Sequence, residues 1–205
     1  SILSSTVFES LTKQGYSTTF CSALSLGLIR LCGFSYVDDS DLIADGVTVQ
    51  DVYHRLQDIL REWDHLMQVN GAAIAPDKCW WYLVDFKWEN GKWKYTSPCQ
   101  QNDLKVRDKT GQLQTLQRLN HDKAMKMVGV LLAPDGNSKQ QVKTLRLQTS
   151  TWAKRITRSP LDADAAWIAL KQTITETVKY PLAATTLTEK ELTHIMAPAL
   201  MAALP

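Results

Sequence analysis

The sequence predicts an α+β fold, and three observations predict it. Apolar residues recur at helical spacing near the start of the chain, again over 48–69, and again beyond Ser138. Hairpin signals crowd between these stretches. The resulting order is helices, a short hairpin, a helix, a meander, a strand and a helical end, which segregates the two kinds of structure.

Taken in order, Ile2 to about Lys13 reads as a helix that ends at Gly15, and Thr18 to Cys32 reads as a second helical stretch leading to Gly33. "FSYV" and "DLIA" read as two short strands whose turn is the acidic cluster between them. Thr48 is placed to cap a helix start, with Asp51 three residues later where its carboxylate favours the first turn. Val52, Leu56, Ile59, Leu60, Trp63 and Leu66 then share one face until Asn70 and Gly71 close the helix. "WWYLVDFKW", "ENGK" and "WKY" form a hairpin signal centred on Asn90 and Gly91, and "LKVRD" turns through "KTGQ" into "LQTLQ" as a second. "MKMVGVLLA", residues 125 to 133, reads as a further strand closed by "PDGN". The rest reads as helical, with breaks near Pro160, Pro181 and Pro198. A boundary is expected near 134 to 138, giving a strand-rich region 1–135 and a helical region 136–205.

Composition narrows the classes. A chain of 205 residues, 44% of them hydrophobic, can bury a sizeable core. Cys21, Cys32, Cys79 and Cys99 are too few and too scattered for a disulfide scaffold, and no two sit at zinc-knuckle spacing. No apolar run reaches the roughly 18 to 20 residues that span a bilayer, and the start lacks the order of a signal peptide, so an intracellular protein with no membrane partner is expected, in nucleus or cytoplasm. Ser1 enters directly into a periodic pattern and "APALMAALP" stops within one, the form expected of a piece of a longer protein.

Charge is unevenly distributed although the formal net charge is only +2. Residues 38 to 64 carry eight acids against Arg55 and Arg61, whereas 136 to 161 carry six bases and no acid. Aspartate is common in turns, because its side chain bonds nearby amides, and one would satisfy that account. Asp38, Asp39 and Asp41 within four positions repel one another, and adjacent carboxylates at a hairpin tip suit a hard divalent cation. On a strand neighbours point to opposite faces, so Asp38 and Asp39 share one ion only where the turn twists them together.

"FSYVDDSDLI" resembles the YxDD box of reverse transcriptases, an aromatic residue, a variable one and an aspartate pair inside a β-hairpin. The features downstream keep that family's order. A helix follows, then a Gly-to-Lys segment before a strand, matched by Gly71 and Lys78 in "NGAAIAPDKCWWYL". "KMVGVLLAPDG" is similar to the primer grip, with Val128 where leucine is usual, and a helical thumb-like region comes next. The resemblance covers roughly residues 15 to 190 and is closest to retrotransposon enzymes of the non-LTR kind.

The resemblance implies a partial polymerase palm followed by a thumb, and two-metal nucleotidyl transfer on an RNA template and DNA primer with deoxynucleotide triphosphates. Two Mg2+ ions, with Mn2+ as a substitute, would be held by Asp38, with Asp39 as ligand or electrostatic support. Tyr36 and Val37 would lie beside the primer end and incoming nucleotide. Lys78 would stand near the leaving pyrophosphate, or is simply a solvated lysine before a strand. Gly129 would let the primer backbone approach, or marks a bulge. The family's first catalytic aspartate lies on an earlier strand. Only 37 residues precede Asp38 here, and Glu9 is their one acid, so the chain alone is expected to be inactive.

Turning 100° per residue from Lys139, the bases Lys143, Arg146, Lys154 and Arg158 fall within about a third of the circle, beside a face of Val142, Leu145, Trp152 and Ile156. Such a stripe suits a sugar-phosphate backbone, or is a solvated face. Trp80, Trp81, Trp88 and Trp93 are read as core or cross-strand pairs before base stacking. His54, His65, His121 and His194 are dispersed and are given no chemistry. The alternative to an enzyme fragment is a catalytically inactive palm-thumb remnant that binds nucleic acid. An unrelated metal or acid-base site on an α+β domain is the third reading.

Overall fold

Thr48 starts the longest helix of the chain, and the first compact unit, Ser1–Asn120, is built around it. In the computed structural model, which describes residues 2–22, 24–36, 39–96 and 103–204, Thr48 and Asp51 form a reciprocal capping box. The Asp51 amide donates to the Thr48 hydroxyl, and Asp51 accepts from the Thr48 amide. This cap opens α2 (Val49–Val69), following α1 (Ile2–Lys13). Ile59 and Trp63 of α2 pack on Val7, Phe8 and Leu11 of α1, with the Phe8 and Trp63 rings 5.1 Å apart. Val52, Leu56 and Leu60 instead face a second cluster of Trp81, Leu83, Leu104, Val106 and Leu116. One helix thus serves two apolar clusters, which is why its apolar arc is wide.

Between α1 and α2 stand two hairpins. The stretch Thr18 to Cys32 is not helical but forms β1 (Thr18–Cys21) and β2 (Leu28–Leu31), antiparallel with Thr18 opposite Leu31. Leu26 at φ 55° and the following Gly27 turn the chain between them. The second hairpin is β3 (Gly33–Tyr36) and β4 (Asp39–Leu42). Asp39, Ser40 and Asp41 therefore lie in a strand rather than in the turn expected from the acidic cluster.

After α2, Gly71 takes φ 73° and a single 3-10 turn, Pro76–Lys78, leads into β5 (Trp80–Tyr82). The hairpin of β6 (Asp85–Glu89) and β7 (Lys92–Thr96) turns on Asn90 and Gly91, both at positive φ as expected for this pair. β8 (Lys105–Arg107) and β9 (Leu113–Thr115) make the next hairpin. β10 (Gln117–Leu119) pairs parallel with β5. The strands of the described residues pair only in twos, most of them antiparallel, and this mixture of helices and small sheets is an α+β layout.

The second unit is His121–Pro205, so the apolar stretch at 125 to 133 falls with the helices, ahead of the 135/136 boundary read from the sequence. That stretch is not one strand but a hairpin, β11 (Met125–Met127) and β12 (Val130–Leu132). α3 (Lys139–Arg158) ends before Pro160. α4 (Ala163–Ala169) continues through a π-turn, Leu170–Thr175, and α5 (Glu176–Lys179) into a 3-10 turn, Tyr180–Ala184, that holds Pro181. α6 (Glu189–Ala203) is capped by Thr188 and Glu191 and contains Pro198 without breaking there, contrary to the expected break. Leu145, Val178 and Ile195 form one core of this unit, and Ala166, Leu170, Ile174, Ala199 and Ala203 another. Among the described residues no helix is long and apolar enough to cross a membrane.

Candidate nucleic-acid and metal site

The β3–β4 register sets the site. Gly33 pairs with Leu42, Phe34 with Asp41, Ser35 with Ser40 and Tyr36 with Asp39. Opposed residues share a face, so Phe34, Tyr36, Asp39 and Asp41 line one side of the ribbon. The other side is fixed by packing. Gly33 is buried, and a Cβ there would fall on the Asp41 carbonyl oxygen and 2.7 Å from the Phe8 ring. Leu42 packs in the cluster of Val7, Leu11 and Ile59. The aromatic and acidic side therefore faces solvent, with Tyr36 62% and Phe34 46% exposed. Val37 and Asp38, between Tyr36 and Asp39, lie outside the described residues.

Most of the acids nearby are engaged. Asp45 accepts from Arg55 and Thr18, Asp51 caps α2, Asp58 pairs with Arg61, and Asp64 accepts from Gln68. The carboxylates of Asp39 and Asp41 have no hydrogen bond or ion pair among the described residues. Burial raises the Asp41 carboxyl above its ordinary pKa, and the Asp39 charge raises it further. Two like charges on one strand face, at i and i+2, is what an oxygen-liganded cation offsets. Asp41 was not among the candidate ligands read from the sequence; its two-residue spacing from Asp39 within a strand is the signal that would have found it. A third His, Cys, Asp or Glu does not join them among the described residues.

Lys78 ends the 3-10 turn before β5 and is exposed, and among the described residues no hydrogen bond or ion pair joins it to the β3–β4 hairpin. The tryptophans divide. Trp81 is core, with the Arg118 guanidinium 5.4 Å from its ring centroid, whereas Trp88 and Trp93 are an exposed cross-strand pair.

No protein-family model, curated protein or solved structure matches this chain.

In the second unit, two features carry the remaining candidates. At the β11–β12 turn Val128 has φ 46° and Gly129 φ 84°. The Tyr180 hydroxyl donates to the Val128 carbonyl at 2.7 Å, and a Cβ on Gly129 would stand 3.3 Å from the Tyr180 ring. The Cβ side of Gly129 thus faces an aromatic ring, while the glycine itself stays exposed. The buried Gln141 of α3 accepts from the Leu131 amide at 2.8 Å and ties the hairpin to the helix.

On α3 itself, Lys139, Lys143, Arg146, Lys154, Arg155 and Arg158 are all exposed, and none forms an ion pair among the described residues. Gln141, Leu145 and Thr149 are buried. At 100° per residue the packed residues of α3 run from Gln141 round to Val142, which stands about 40° from Arg146, so the positive face lies beside the packed one. With Leu147, 69% exposed, between them, these cations are free to meet an anionic surface.

Proposed function

We propose that this chain is the palm-and-thumb part of an RNA-directed DNA polymerase. The observation that carries the reading is the hairpin of the YxDD-like box: it sets Tyr36 opposite Asp39 on a solvent face, with the Asp39 and Asp41 carboxylates unpartnered among the described residues. Asp38 and Asp39 would hold magnesium, and Asp41 on the same face as Asp39 adds a third carboxylate of the kind that cation prefers. Bound divalent ions supply charge to an attacking hydroxyl and a transferring phosphate. The chain's own groups do the rest: Tyr36 and Val37 flank the primer end and nucleotide, and Lys78 neutralises charge on departing pyrophosphate. The basic face of α3, Lys139 to Arg158, runs along the sugar-phosphate backbone of the template-primer duplex.

A non-catalytic remnant that only binds nucleic acid is the second reading, and the acid-free face of α3 favours it independently of the aspartates. Two measurements separate the readings. Binding of an RNA–DNA duplex by this chain, followed across salt concentration, should lose about two units of slope in the variant carrying K154Q and R158Q, near one per phosphate contact. An unchanged slope leaves those residues as surface charge and removes both readings of α3. Primer extension by the complete polypeptide on an RNA template should be abolished by Asp38→Asn; extension that survives removes the metal role of the box.

A further inference from the structure

A two-residue hairpin turn with both central residues left-handed usually takes Asn-Gly or Asp-Gly, because a side chain branched at Cβ is strained there. Here the first position is Val128 at φ 46°, and its side chain stays 44% exposed, so burial does not offset the strain. Something else must hold the turn, and the neighbouring group is Tyr180. Its hydroxyl donates to the Val128 carbonyl across 52 positions of sequence, and its ring stands against the Cβ side of Gly129. The tyrosine backbone is itself anchored, since Val178 on one side and Pro181 on the other are buried. A strained turn kept at the surface is a feature that persists where the surrounding structure over-determines it, commonly at ligand contacts.

We propose that Tyr180 is a positioning residue that holds the Val128–Gly129 turn in the left-handed form in which it meets the primer strand. This rests on the reading of the turn as a nucleic-acid contact. The ring side of Gly129 belongs to Tyr180, so a strand reaches the turn from the side of the exposed Val128 side chain.

The test uses the whole chain with Y180F, V128N and the double variant. Amide hydrogen exchange across Val128–Val130 reports the turn, and anisotropy reports affinity for an RNA–DNA duplex with a recessed primer 3′ end. Y180F should speed exchange at the turn roughly five- to tenfold, the effect of one hydrogen bond, and weaken duplex binding several-fold while the salt slope set by α3 is unchanged. Asparagine takes the left-handed conformation without help, so V128N should restore both slow exchange and affinity in the Y180F background. Unchanged exchange in Y180F overturns the positioning role whatever the duplex does. Faster exchange with unchanged affinity overturns the contact between turn and nucleic acid instead.

Discussion

At the scale of single residues, two aspartates show how one side chain acquires opposite properties. Asp41 is pushed up by burial and by Asp39. Asp108, half-buried, is held down to about 2, chiefly by the Thr110 hydroxyl at 2.6 Å, with the Thr110 and Gln112 amides and the Gln114 side chain adding to it. The folded pKa lies below the ordinary value of about 3.9. Its contribution to stability is therefore complete above about pH 4 and disappears as pH falls toward 2. A carboxyl titration followed by NMR should place the Asp108 midpoint near 2, and Thr110→Ala should move it up toward the ordinary value. A wild-type midpoint already at that value would mean that the turn is open in solution. Nothing in "LKVRDKTGQLQ" separates this aspartate from any other before a turn; its four partners converge only once the chain closes through Gly111.

Elements show what was legible in the sequence and why the rest was not. α2 was read closely because cap, period and stop agree over one continuous stretch, from Thr48 to Gly71. The segment from Thr18 to Cys32 was misread as a helix because Leu24, Leu26, Leu28 and Leu31 satisfy both two- and three-to-four-residue spacings. The β-branched Thr18, Thr19 and Ile29 and the left-handed Leu26 decide for strands. In α6, Pro198 costs one donor but does not end the helix, since Ile195 and Ala199 on either side of it are buried and hold the turn in place. Contacts between distant segments leave no local mark at all. Gln57, buried on α2, donates to the Lys105 carbonyl and accepts from its amide, both at 2.9 Å, so a helix side chain completes the free edge of β8. Gln57→Leu strands both backbone groups and should lower stability by about 2 kcal/mol in denaturant unfolding. Gln57→Glu keeps only the acceptor and should not recover the loss. Of the candidate site, the hairpin and the basic helix were legible from spacing; the shared face of Asp39 and Asp41 and the grip of Tyr180 depend on register and on a pair 52 positions apart.

For the whole molecule, the division at Asn120 and His121 gives each unit its own apolar clusters. Ile59 in one and Ile195 in the other are both fully buried. Truncating either to alanine should cost about 3 kcal/mol. Scanning calorimetry is expected to show two transitions, the first unit's lowered by about 10 °C in Ile59→Ala and the smaller second unit's by about 15 °C in Ile195→Ala. A single transition shifted alike by both would show that the units unfold as one. Following that experiment needs a signal belonging to one unit, and the β6–β7 hairpin contains it. The indoles of Trp88 and Trp93 lie 5.1 Å apart at 70° to each other. Two identical chromophores that close and that steeply inclined share their excited states, and circular dichroism registers the pair as a split band that neither ring gives alone. The band vanishes when these two strands part, so the ribbon, which lies in the first unit, is an optical gauge of its own pairing.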